Sequence, residues 1–307
     1  TWPEAMRKEW ANDEGQAHSD AHRADLIEGM RWAREELDRF KPDLLVIWGD
    51  DQYENFKEDA VPPMSILAYD SFEVKPWQHS RMANMWNEAP ETEFHYEGHR
   101  TAGKYLASRL LEDGFEVTYG YKPLHHPMPH AFQNTALYLD WDRKGFPFPI
   151  VPFAINSYGR ALVKLNGGVL NNLADLPQEE DMDPPTAQPW RCFDCGKAIA
   201  RAMAGSPWRV ALVASSSWSH SFLTSKSWYV HPDVEADKEL FEAMKAGHYE
   251  VWRERPLAEV EASGHHELLN WFFLMGAMSE LGRKPQEARF LESWTCNSDK
   301  VFAVFRP

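Results

Sequence analysis

Four stretches of the chain hold most of the side chains able to do chemistry. In the first, Asp50, Asp51, Gln52, Tyr53, Glu54 and Asn55 follow one another, every one carrying an oxygen. In the second, KPLHHPMPHAFQN, the imidazoles of His125, His126 and His130 share one loop. Their ordinary pKa lies near neutrality, so they suit proton transfer or metal binding. The third, SSSWSHSF, ends a run of serines at His220. No Gly-x-Ser-x-Gly elbow surrounds those serines, so a Ser-His hydrolase has little support. In the fourth, GHHELLNWFFLMGAM, Glu267 stands among Leu268, Leu269, Trp271 and Phe272. A carboxylate in such company is costly to bury unless a cation or a metal answers it.

Other residues of these types carry less. Cys192 and Cys195 are spaced CxxC, but no second pair exists to close a zinc site, and a structural role is expected. His18 and His22 lie four apart on a helical pattern, which reads as a solvated face without further ligands. The 14 Trp include several beside the polar clusters; Trp is usually core, yet aromatic walls suit a flat apolar ligand. Trp218 and Tyr53, with His130, are the candidates for touching such a ligand.

The elements that must position these residues are legible in outline. Leu44 to Trp48 form an unbroken apolar run after Pro42, the pattern of a strand buried on both faces. It breaks at Gly49 into the first polar cluster. Ligands in open α/β sheets bind at the carboxyl ends of strands, so a cluster there is a candidate site; an Asp-capped solvated turn would look the same. A helix over 16–40 delivers the chain into this strand. The patterning predicts further strands near 64–69, 116–121, 148–156 and 209–214, and helices near 99–113, 192–204, 231–247 and 263–282, the last with Glu267 in its first turn. Residues 70–98 and 165–190 read as a long loop and a surface excursion. A turn at Asn297-Ser298-Asp299 between RFLESWTC and KVFAVF predicts a C-terminal β-hairpin. The fold class expected is α/β: one large domain over residues 1–307, with a central mostly parallel or mixed sheet flanked by helices.

Bulk properties narrow the partners. Lys plus Arg is 32 against 47 Asp plus Glu, a formal charge of −15, which argues against nucleic acid as a partner. No run of 18 apolar residues exists to span a membrane, and three cysteines fit a reducing cytoplasm best.

Taken in order, WGDDQYENFKEDAVPP, HHPMPHAFQN, FPIVPFAINSYG, SSSWSHSF and GHHELLNWFFLMGAM resemble the class III extradiol ring-cleavage dioxygenases, of the protocatechuate 4,5-dioxygenase catalytic-subunit type. The resemblance implies a mononuclear non-haem Fe(II) held by two His and one Glu, a small catechol-like or aminophenol-like substrate, O₂, and a homo-oligomer. It gives Glu267 the part of the carboxylate ligand and His220 that of the proton-handling histidine. His125 or His126 would be a second histidine near the substrate hydroxyls. The chain departs from the family at two places. The family's first histidine ligand follows an N-terminal strand, in a Ser-His-x-Pro setting expected upstream of this sequence. The second stands where Gln52 is found, with Asp51 beside it; an amide oxygen binds metal more weakly than imidazole does. A relative that has lost its metal and serves as a ligand- or protein-binding scaffold is therefore the alternative reading.

Overall fold

The computed structural model describes residues 2–78, 84–165 and 179–307. Its centre is the apolar run read above as a buried strand, β1 (Leu44–Asp50), every residue of which is buried. Successive side chains of a strand point to opposite faces. Here Leu44, Val46 and Trp48 enter one apolar core while Leu45 and Ile47 enter a second. β1 is thus the middle of three layers.

Around it lie β2 (Met64–Leu67), β5 (Thr118–Gly120), β6 (Ile150–Ile155) and β7 (Val210–Ala214), in the spatial order β5-β2-β6-β1-β7. β6 and β7 both run parallel to β1, pairing Asp50 with Ile155 and Trp48 with Ala214. The carboxyl ends of these three strands therefore open on the same side. β2 is antiparallel to β6 and parallel to β5, which makes the sheet mixed.

The helices expected near 16–40, 99–113, 192–204, 231–247 and within 263–282 are present, and among the described residues four more that the sequence reading lacked join them. α1 (Glu4–Trp10) precedes α2 (Gln16–Phe40), which stops one residue before Lys41. α3 (Arg100–Glu112) and α4 (His130–Leu139) come next, then α5 (Pro189–Ala204), entered through a proline in its first turn, where the missing N–H is harmless. α6 (Val234–Ala246), α7 (Glu250–Arg253) and α8 (Leu257–Ala262) lead to α9 (Leu269–Glu280). The C-terminal hairpin pairs β8 (Glu287–Leu291) with β9 (Lys300–Val304). Among the described residues, no helix is long and apolar enough to cross a membrane.

Three expectations need correction. Residues 70–98 are not simply a loop: β3 (Ser71–Val74) and β4 (Phe94–Glu97) pair antiparallel within them. These strands are four residues each and half solvated, too short to show a period. Residues 79–83 and 166–178 of the two expected irregular stretches lie outside the described residues. Glu267 precedes α9 rather than sitting in its first turn, because the helix begins at Leu269. His22 is buried, not on a solvated face, and its ring stacks on that of His18.

α9 is held against α5 by reciprocal close approaches. A Cβ on Gly196 would overlap the Phe273 carbonyl, and one on Gly276 would overlap the Phe193 carbonyl. Only glycine lets the two backbones come so near. Cys192 and Cys195 lie in this same contact, fully buried, with burial raising both thiol pKa values, as expected of structural cysteines.

Candidate active site

The parallel strands set the site. β1 ends at Asp50; three residues beyond β6 comes Tyr158, and three beyond β7 comes Ser217. The turn before α9 brings Glu267 to the same place. Tyr158 donates its hydroxyl to Glu267 Oε1 at 2.7 Å, His220 Nε2 lies 3.1 Å from the same oxygen, and the Ser217 N–H donates to Oε2 at 3.4 Å. All of these side chains are nearly sealed: Glu267 is 8% exposed, His220 7% and Tyr158 2%.

Burial alone would push Glu267 up. The His220 imidazole, its hydrogen bond, the Tyr158 hydroxyl and the more distant His130 outweigh it and hold the carboxyl down to about 2. Asp50 goes the other way. Burial, then the charge of Glu267, push it up to about 8, and its Oδ2 is buried with no hydrogen-bond partner. Two carboxyls sharing a low-dielectric space resist ionising together. Tyr158 is raised well above its usual value by burial and then by Glu267.

The three histidines of the 122–130 loop separate. His130 opens α4 and faces inward: Glu54 accepts from its backbone N–H at 3.0 Å and lies 2.9 Å from its Nδ1. Burial would lower the His130 pKa. Glu54, Asp50 and Glu267 prevail and raise it to about 10, so the ring carries a proton at neutral pH, screened in part by the solvent it still meets. His125 instead turns outward to Asp59 at 2.9 Å, and His126 accepts from the Met128 N–H. Asn55 ties this loop to the β1 loop, its Oδ1 accepting from Leu124 N–H at 2.7 Å.

The rest of the first polar cluster is placed as follows. Asp51 accepts from the backbone N–H groups of Glu54, Asn55 and Phe56, a cap over the turn, and burial raises it to about 6. Tyr53, at φ 60°, has the Lys57 ammonium 5.6 Å over its ring. Gln52 is half-buried just beyond β1. Trp218 is wholly buried, edge-on to Trp252 and Trp271, and belongs to the core.

Asp50, His130, Ser215, Ser217, His220 and Glu267 line one end of a cavity of about 680 Å³. Its longer part is an apolar trough. Every residue of β7 lines it, every residue of β9 does too, and α2 contributes Leu26, Met30 and Leu37. Among the described residues β7 is paired only with β1, and β9 only with β8, so both strands meet the trough edge-on. Asp50 belongs to the first polar cluster read in the sequence. Tyr158 and Asn297 had not been singled out for the site, because nothing local announces that Tyr158 meets Glu267 and Asn297 meets His220, 109 and 77 positions away.

Residues 183–302 match the family model described as the catalytic LigB subunit of aromatic ring-opening dioxygenase. Over those residues the chain is LigB-like. No curated protein matches the chain. The LigB-like stretch holds His220, Glu267, α5, α9 and most of the C-terminal hairpin. Asp50, Glu54, His130 and Tyr158 come to the site from ahead of it. The resemblance read in the sequence is thus shown for this stretch, and what the matched family describes is opening of an aromatic ring by a dioxygenase.

Family resemblance implies a metal, and the donors can be tested for it. Among the described residues, no group of three His, Cys, Asp or Glu is arranged to hold an ion. The chemistry of the set nonetheless suits a cation. Glu267 is held ionised, and the unpartnered Oδ2 of Asp50 is the kind of buried acceptor that a cation satisfies. Carboxylate, amide oxygen and imidazole are donors that Fe(II) accepts.

Proposed function

We propose that the protein is an extradiol ring-cleaving dioxygenase using mononuclear Fe(II), with a catechol-like or aminophenol-like ring as substrate. The observation that carries this reading is the Tyr158–Glu267–His220 array, whose Glu267 and His220 line one end of a large cavity and which falls largely within the LigB-like stretch. Glu267 and the amide oxygen of Gln52 would hold the iron, with Asp50 the nearest further carboxylate. Bound there, Fe(II) would supply a redox-active centre able to take both diol oxygens and O₂.

The chain's own side chains divide the remaining work. Tyr158 keeps Glu267 ionised and fixed in direction. His220 holds a proton at Nε2 facing that carboxylate, within reach of a substrate hydroxyl laid beside it. His130, protonated through Glu54, offers a cation to a substrate oxygen as it loses its proton. Trp271, Leu274 and Met278 give the cavity an apolar wall that excludes water and accepts a flat ring. The trough could also take an extended segment, which would hydrogen-bond the facing edges of β7 and β9 at once.

Anaerobic loading with Fe(II), followed by oxygen-electrode assay on a panel of catechols and aminophenols, tests the function. We expect O₂ uptake with the parent chain, and in Glu267→Gln a strong fall in bound iron with the fold intact by circular dichroism. Full iron in the variant removes Glu267 from the ligand set. A loaded parent chain that binds catechols yet consumes no O₂ overturns the reading in favour of a ligand-binding scaffold, which the Gln52 departure favours.

A further inference from the structure

We infer that Asn297 is a positioning residue that keeps the single proton of neutral His220 on Nε2, aimed at Glu267 and the cavity. For the neutral ring the contacts leave one consistent assignment. Oε1 of Glu267 lies 3.1 Å from His220 Nε2, and a carboxylate can only accept, so Nε2 must donate. In a neutral ring Nδ1 then bears a lone pair. The side-chain nitrogen of Asn297 lies 2.9 Å from it, and an amide –NH₂ is a donor that this lone pair can use.

The amide is also held at its other end. Ser221 donates its hydroxyl to Asn297 Oδ1 at 2.8 Å, and its backbone N–H to the Asn297 carbonyl, also at 2.8 Å. A flipped amide would turn its carbonyl oxygen to the Nδ1 lone pair, two acceptors facing one another.

The turn that carries Asn297 is held on both sides. His220 and Ser298 form an isolated antiparallel bridge, so the ring and the amide are tied through backbone as well. The half-buried Lys300 donates its ammonium to the Ser298 carbonyl at 3.0 Å and also to the Ser298 hydroxyl. Ser293 donates its N–H to Asp299 Oδ1 at 2.7 Å, and its hydroxyl accepts from Cys296 N–H at 2.9 Å. The turn that reads in sequence only as a hairpin connection therefore sets the direction of a side chain 77 positions earlier. Second partners that fix a tautomer recur wherever a histidine must present one chosen nitrogen. The bearing of Asn297 on turnover rests on the ring-opening reading; its bearing on the tautomer does not.

The test is a two-bond ¹H–¹⁵N correlation spectrum of the metal-free full chain, labelled with ¹⁵N histidine, with His220 assigned by its loss in His220→Gln. We expect a protonated-type Nε2 and a lone-pair-type Nδ1. In Asn297→Asp, an acceptor replaces the donor and the Nδ1 signal should move towards the protonated type. Ser221→Ala, which frees the amide without charging it, should give averaged shifts. A parent chain with its proton on Nδ1 overturns the inference whatever the variants do. Unchanged shifts in a folded Asn297→Asp, or in Ser221→Ala should Asn297→Asp fail to fold, do so too. The expected tautomer in a chain that takes up no O₂ after iron loading would leave this inference standing and remove the function proposed above.

Discussion

Tyr158→Phe isolates one hydrogen bond at the site. The ring is buried and stacks at 25° on His266, 5.8 Å away, and phenylalanine keeps that contact. What disappears is the hydroxyl donating at 2.7 Å to a carboxylate already short of water. A hydrogen bond to a charged partner contributes about 1.5–3 kcal/mol. Unfolding entropy near the midpoint is about 2.1 cal/mol/K per residue, which for a chain of 307 residues gives roughly 0.6 kcal/mol per degree. The variant should therefore melt about 2–5 °C below the parent at pH 7. The pH dependence fixes the cause. Glu267 is depressed to about 2 in the folded chain, so its stabilising contribution is complete above the unfolded carboxyl value and is lost as pH falls towards 2. Removing the hydroxyl raises the folded value, so the gap between the two proteins should narrow as pH drops from about 4.5. Thermal unfolding by circular dichroism at pH 7, 4 and 3 measures it. An unchanged melting temperature, or a gap of constant size across that range, would refute the claim that Tyr158 acts through the Glu267 charge.

Two further outcomes follow from the packing. Gly276→Ala should lower the melting temperature in spite of alanine's better helix propensity, worth about 1 kcal/mol, because the new methyl meets the Phe193 carbonyl. Since α9 starts two residues after Glu267, iron retention in the reconstituted variant should fall as well; a variant as stable and as iron-loaded as the parent would mean the α5–α9 contact yields. For the trough, hydrogen exchange followed by mass spectrometry should show the amides of 210–214 and 300–304 exchanging far more slowly in a longer chain that carries upstream residues. Equal rates in the two chains would dismiss an upstream strand as its occupant.

How much was legible depended on how far the deciding information lay along the chain. The buried strand Leu44–Asp50 was plain because its apolar run is local, and so were α2 and α5, whose periodicity lies within one helix. Glu267 could be singled out because a carboxylate among Leu268, Leu269 and Trp271 is anomalous on its own. Strands β3 and β4 were missed since a four-residue, half-solvated strand carries no period of its own. The separate fates of His125 and His130 were illegible for another reason: identical rings in one loop are distinguished only by Asp59 outside and Glu54 inside. Asn297 was recognised only as a turn former, as its meaning comes from a ring on another element.

Among the described residues the outer edges of β7 and β9 are unpaired, which has a consequence for how this polypeptide behaves in a test tube. A strand edge with free N–H and C=O groups is a template, and here two such edges face one apolar hollow. Whatever extended segment reaches the hollow first gains hydrogen bonds on both flanks. At high concentration that segment can come from a neighbouring copy, and the product is a run of chains linked strand into gap. Light scattering that rises steeply with concentration, and subsides when a short apolar β-forming peptide is added in excess, would be the mark of this habit. Dilute handling during purification would then matter as much to this protein as the choice of metal.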